Sequence, residues 1–204
     1  MRKRTYKKAP IAYQAYRIAK SLQKRIEYKY FENALGATVQ IDSIGNVYNL
    51  LYPSQGSSIN TRTGDSIKGA ILTLHVQFTQ YRPLVGGATD ETVRLVILKD
   101  KQNSIANVAD VLEYNGNAMA PFGSKIQQYR YDSKFLYDKT FNVTETRPIV
   151  KVKVVLKIPF TVNFAPGLST VTQNALKLIV LGQDVALGIG THFQFLSRVT
   201  FTDA

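Results

Sequence analysis

Pro148-Ile149-Val150-Lys151-Val152-Lys153-Val154-Val155-Leu156-Lys157-Ile158-Pro159-Phe160 is the stretch whose reading decides the fold. Val150, Val152, Val154, Leu156, Ile158 and Phe160 fall on one parity, and Lys151, Lys153 and Lys157 on the other. Successive side chains of a strand point to opposite faces, so this period of two predicts a strand with one face in a core and one in water. Two more stretches read the same way. In 67–81, Leu72, Leu74, Val76 and Phe78 oppose Thr73, His75, Gln77 and Thr79. In 191–202, Phe193, Phe195, Val199 and Phe201 oppose Gln194, Arg198 and Thr200. Half-buried strands of this kind belong to antiparallel sheets.

Outward from these, shorter strands are expected at 38–51, 92–99, 134–143 and 175–183. The last is apolar on both parities, which places it inside a sheet or at a contact. A short helix is expected at 104–112, with Ile105, Val108, Ala109 and Leu112 on one face and Asn103 or Ser104 as its cap. The segments 53–66, 83–90, 114–124 and 163–174 are rich in Gly, Pro, Asn and Ser and read as loops. The fold class is therefore all-β, a β-sandwich or jelly roll. No internal repeat is evident, and 31–37 reads as the linker between an N-terminal arm and the body.

The charge is unevenly placed. Arg2, Lys3, Arg4, Lys7, Lys8, Arg17, Lys20, Lys24, Arg25 and Lys29 face one acid, Glu27, so residues 1–30 carry +9 of the chain's +12. Residues 2–8 are nearly free of apolar side chains and are expected to be disordered alone. From Pro10 onward Ile11, Ala15, Ile18, Leu22 and Ile26 recur at helical spacing, with Arg17, Lys20 and Lys24 on the other side, predicting a basic amphipathic helix over 10–28. Three roles compete for it. It can pack on the body by its apolar stripe, lie on an anionic membrane surface, or grip nucleic acid while packing against copies of itself. The bare Lys/Arg tip favours the last and also has the composition of a nuclear import signal. Tyr6, Tyr13, Tyr16, Tyr28 and Tyr30 interleave the basic residues and suit either helix packing or stacking on unpaired bases.

Other classes find little support. Without Cys, disulfides and thiolate zinc sites are excluded. No apolar run approaches the roughly 18 residues that span a bilayer, so no membrane insertion is expected. The basic N-terminus lacks the apolar segment of a secretory signal, so Asn142-Val143-Thr144 is read as a chance sequon. His75 and His192, the two histidines, sit in strand alternation. No nucleophile elbow appears, and Gly188-Ile189-Gly190 lacks the Lys and helix of a phosphate cradle. A non-enzymatic role is expected.

Four stretches taken in order resemble a known family. They are Arg25-Ile26-Glu27-Tyr28-Lys29-Tyr30-Phe31, Ile59-Asn60-Thr61-Arg62-Thr63-Gly64-Asp65-Ser66, Lys134-Phe135-Leu136-Tyr137-Asp138-Lys139-Thr140-Phe141 and Val199-Thr200-Phe201-Thr202-Asp203-Ala204. Together they resemble the single-jelly-roll capsid proteins of satellite-necrosis-type viruses and of circular Rep-encoding single-stranded DNA viruses. The resemblance implies an eight-stranded jelly roll in two four-stranded sheets, with an arm over 1–30 and a capsid domain over 31–204. Its strands B to I then fall at 38–51, 67–81, 92–99, 134–143, 148–161, 169–173, 175–183 and 191–202. It implies a T=1 shell of about 60 copies of the chain whose arms hold single-stranded nucleic acid, with DNA favoured over RNA. Sixty arms at +9 bring on the order of 540 charges, and counterion release makes that grip independent of base sequence. The virion, and the host nucleus during assembly, are the implied locations. No cofactor is required. Calcium is the one candidate, held by Thr63, Ser66 and Asp203, with Glu27 where arms meet. Only one carboxylate is carried over to the Thr63 turn. The rival reading is a monomeric nucleic-acid-binding module with a basic extension; a jelly-roll enzyme or lectin explains neither the arm nor its charge.

Overall fold

The computed structural model describes residues 11–23, 28–80, 90–113, 116–126, 133–183 and 191–203. One helix, α1 (Ile11–Gln23), precedes ten strands: β1 (Lys29–Gln40), β2 (Asn46–Asn49), β3 (Ser66–Thr79), β4 (Glu91–Asp100), β5 (Ser133–Val143), β6 (Ile149–Lys157), β7 (Val162–Phe164), β8 (Val171–Gln173), β9 (Ala175–Leu181) and β10 (His192–Asp203).

The pairing gives the architecture. β1 runs antiparallel to β10, β2 to β9, β3 to β6, and β4 to β5. That is one long hairpin of eight strands folded on itself. Rolling it lays β10 beside β3 and β9 beside β4. The two sheets that result are β1-β10-β3-β6 and β2-β9-β4-β5, and this winding is a jelly roll. The fold class read from alternation holds.

Three features differ from expectation. Strand B does not occupy 38–51. β1 starts at Lys29 and takes in the segment read as a linker, pairing with β10 from Lys29↔Phe201 to Gln40↔His192. The chain then turns at 41–45 and enters the other sheet as β2, the third strand in the row being β3. Asp42 makes the turn, its carboxylate accepting the Ile44 and Gly45 amides at 3.0 and 2.8 Å. Gly45 sits at φ +72°, where a Cβ would meet the Leu181 Cβ at 2.8 Å. With B and C both supplied before residue 50, the stretches at 67–81, 92–99, 134–143 and 148–161 each move one place, to D, E, F and G. H and I stand as expected.

The expected strand near 169–173 is no member of the eight. β8 and β7 form a short added hairpin, and Ser66 and Ile67 of β3 pair with β7, so that sheet has six strands rather than four. The helix expected at 104–112 is a single 3-10 turn, Val108–Asp110, capped by Asn107. Carboxylates take the backbone N–H groups there: Ile105 donates to Asp100 at 2.8 Å, and Ala106 and Asn107 donate to Asp110 at 3.0 and 2.9 Å. These local bonds compete with helix formation. Ile105, Val108 and Leu112 are buried as their spacing suggests, but Ala109 is exposed.

The main core lies between the sheets. Phe78 of β3 meets Phe141 of β5 at 5.9 Å between centroids, and Tyr48 of β2 sets its edge on Phe193 and Phe195 of β10. A second cluster sits on the far side of the four-stranded sheet, where Ile105, Val108, Val111, Leu112 and Ala120 cover Val96, Leu98, Ile179 and Leu181. That cover explains why every residue of β9 is buried. β3, β6 and β10 keep their outer parity in solvent, as the alternation requires. Among the described residues, no helix is long and apolar enough to cross a membrane.

Candidate nucleic-acid interface and the root of the arm

Helix α1 exposes Ile11, Ala15 and Ile18 of its apolar stripe. Ile11 is 84 % and Ile18 60 % exposed, with Tyr13 and Tyr16 also in solvent. Arg17 is exposed on the same helix, and Lys20 lies on it by backbone position. Arg2, Lys3, Arg4, Lys7, Lys8, Lys24, Arg25 and Glu27 lie outside the described residues.

Lys29 departs from the arm set. It opens β1 opposite Phe201, which carries its side chain to the end of β10. There it is 4 % exposed, and its ammonium lies 2.9 Å from the Asp203 carboxylate and 2.6 Å from the Thr63 hydroxyl. The Thr63 amide donates to the other Asp203 oxygen at 3.1 Å. Burial pushes the Asp203 carboxyl up. The hydrogen bonds from Lys29 and Thr63 outweigh that and hold it below the ordinary carboxylate value. An ammonium enclosed in this way has no face to offer a phosphate. Lys29 is an intramolecular ion pair that fixes the first residue of the sheet to the last strand and to the 53–66 loop. The Tyr30 amide reinforces it, donating to the Ile59 carbonyl at 3.0 Å.

The residues suggested for calcium are thus partly brought together, but around a different cation. Thr63 and Asp203 meet at the Lys29 ammonium. Ser66 begins β3 opposite Asn163 of β7. Calcium takes six to eight oxygens and favours several carboxylates. A turn with a single carboxylate, already neutralised by a lysine, does not fit it. Among the described residues no group of three or more His, Asp or Glu side chains gathers anywhere.

Arg62 was not singled out by sequence. It is fully buried, and its guanidinium donates to the Gly64, Ala165 and Leu168 carbonyls, pairs with Asp65 at 3.2 Å and lies 4.5 Å over the Phe164 ring. It binds the 53–66 loop to the β7–β8 hairpin. Its only sequence signal is an arginine in a Gly/Ser loop, the place where surface arginines also occur. On the four-stranded sheet, Arg94 grips Asp138 through two bonds of 2.8 and 2.9 Å and donates to the Gly123 carbonyl at 2.6 Å, with Lys125 2.9 Å from the same carboxylate. Burial raises the Asp138 carboxyl, and its two cationic partners outweigh that and lower it. Both constellations hold loops to sheets. His75 projects from β3 between Leu196 and Lys153, and His192 from β10 between Gln40 and Thr79.

No family model and no curated protein matches the chain. Among solved structures it is similar to one titled Desmodium yellow mottle tymovirus, with 11% identity over 98% of this chain and 95% of that one, at a TM-score of 0.38. The class defined here, an all-β jelly roll with a basic helix ahead of its first strand, rests on the strand pairing itself.

Proposed function

We propose that the chain is a viral capsid protein, structural rather than enzymatic, that assembles into a T=1 shell of about 60 copies and packages single-stranded nucleic acid through its arm. One observation carries this reading: the basic helix α1 exposes Ile11, Ala15 and Ile18 of its apolar stripe. Exposed apolar side chains beside concentrated positive charge serve a partner on each side, neighbouring arms on one and polyanion on the other. The arm spans 1–28, the shell domain begins at Lys29, and the nucleic-acid contacts are Arg2, Lys3, Arg4, Lys7, Lys8, Arg17, Lys20, Lys24 and Arg25. With Lys29 engaged internally, about 60 arms bring on the order of 480 net charges to the lumen, and release of phosphate counterions drives packaging without reading bases. Circular single-stranded DNA is the favoured cargo and the virion the location. The Arg2-Lys3-Arg4 tip directs the chain to the host nucleus.

Extraction of the polymer from purified protein tests this. The reading predicts an absorbance excess at 260 nm that high salt removes, and a polymer degraded by DNase but not RNase. RNA alone keeps the capsid reading and makes the genome that of a satellite-type RNA virus. Absence of polymer contradicts packaging.

A further inference from the structure

Strand β1 ends the six-stranded sheet and β2 ends the four-stranded one. Between these two edges lies a groove of about 330 Å³, at the small end of ligand pockets. β1 slips register against β10 between Leu35 and Val39, and a bulge of this kind re-aims the side chains beside it. Leu35, Tyr48 and Phe195 supply apolar surface, with the Tyr48 and Phe195 ring centroids 5.4 Å apart. Tyr52 is 40 % exposed and sits edge-on to Phe31 at 4.8 Å. Asn33 crosses the gap, its side-chain amide donating to the Asn49 carbonyl at 3.0 Å. The Asn33 side-chain oxygen, the Asn49 side-chain amide and the Tyr48 and Tyr52 hydroxyls have no hydrogen-bond partner among the described residues. Among those residues, no charged side chain lines the groove.

We infer that this groove binds a neutral sugar, a hexopyranose or a short uncharged glycan, with one ring face on Tyr52 and its hydroxyls on Asn33 and Asn49. The chemistry of the lining selects that ligand. A pyranose presents a face of C–H groups, which suits an aromatic ring, and a rim of hydroxyls, each a donor and an acceptor. An asparagine amide likewise donates and accepts, and a tyrosine offers an apolar body with a polar tip. Burial pushes the Tyr48 phenol up, so its hydroxyl stays protonated and able to donate. A phosphate or carboxylate entering here would lose water with no cation to replace it. A purely apolar ligand would cover the amides without satisfying them. The inference goes beyond packaging, because it gives this edge of the sandwich a partner that is not a polyanion. The competing account is a crevice between strand edges that holds only water.

Titration of the full chain by saturation-transfer NMR separates the accounts, with the methyl pyranosides of glucose, galactose and mannose as neutral probes and glucuronic acid as the charged one. Transfer is expected to at least one neutral glycoside, strongest at its ring C–H protons, and to be weaker for glucuronic acid. Tyr52→Ala is expected to weaken that binding by about tenfold, and Tyr52→Phe to keep most of it. Asn49→Ala retains the main-chain carbonyl that holds Asn33. It is expected to weaken binding at an unchanged thermal midpoint, which keeps the test decisive where loss of the Tyr52 ring disturbs folding. Absence of transfer to every neutral glycoside overturns the inference. So does equal transfer to glucuronic acid, or binding unchanged in both the Tyr52→Ala and Asn49→Ala variants. None of these outcomes touches the packaging reading, which rests on the arm.

Discussion

Arg62 is the residue on which the loop end of the six-stranded sheet depends. Removing its guanidinium takes a donor from the Gly64, Ala165 and Leu168 carbonyls and empties a fully buried side-chain site, at a cost of about 2–3 kcal/mol. Arg62→Ala is expected to lower the urea midpoint accordingly. Arg62→Lys is expected to recover less than half, because an ammonium can neither fork to several carbonyls nor stack on Phe164. An alanine variant as stable as the parent contradicts this role. Asp203 gives a pH signature. Its native pKa lies below the unfolded value, so its contribution to stability is complete above ordinary carboxylate pH and is lost as pH falls through the lowered native value. Asp138 acts in the same direction. Asp203→Asn is expected to flatten the acid limb of the stability curve, and equal limbs in parent and variant contradict the pairing. The family resemblance pointed to Thr63 and Asp203 as calcium positions. It did not lead to Lys29, which lies 34 residues from Thr63 and is brought there by the β1–β10 register.

At the scale of elements, the arm and the sheet divide at Tyr28. Truncation of residues 2–27 leaves Lys29 in place and is expected to keep the thermal midpoint while removing most bound nucleic acid. Truncation of residues 2–29 also breaks the Lys29–Asp203 pair and is expected to lower stability by about 1–2 kcal/mol, read by calorimetry. Equal midpoints for the two truncations contradict the structural role of Lys29, and full nucleic-acid content after the shorter one contradicts the arm as the main contact. Alternation made β3, β6 and β10 legible, because each keeps one face in water. β1 was hard to read because Glu32, Ala34 and Gly36 dilute its alternation with Phe31, Leu35 and Val39. β2 is four residues long, shorter than periodicity can resolve. The 104–112 segment has a helix-like apolar spacing, yet Asp100 and Asp110 capture its amides from outside that pattern.

For the whole molecule, two opposed demands meet in one chain. The sandwich closes its core completely and needs no partner for that. The helix ahead of it exposes Ile11, Ala15 and Ile18, and β6 exposes Lys151, Lys153 and Lys157. Winding sets them at opposite edges of one sheet, with β1, from which the arm leaves, at one edge and β6 at the other. The positions of the long strands were legible from alternation, whereas their order came from the resemblance, in which a missed first turn moved four strands by one place and 169–173 was taken for one of the eight. The proposed assembly rests on contacts between copies of the chain. The most direct measurement is therefore the mass of the purified particle by size exclusion with light scattering. A particle near 60 times the 22.8 kDa chain mass, with a 260 nm excess removed by salt and nuclease, is the predicted result. A monomer or dimer that binds nucleic acid without closing into a shell contradicts the capsid account and leaves a nucleic-acid-binding module.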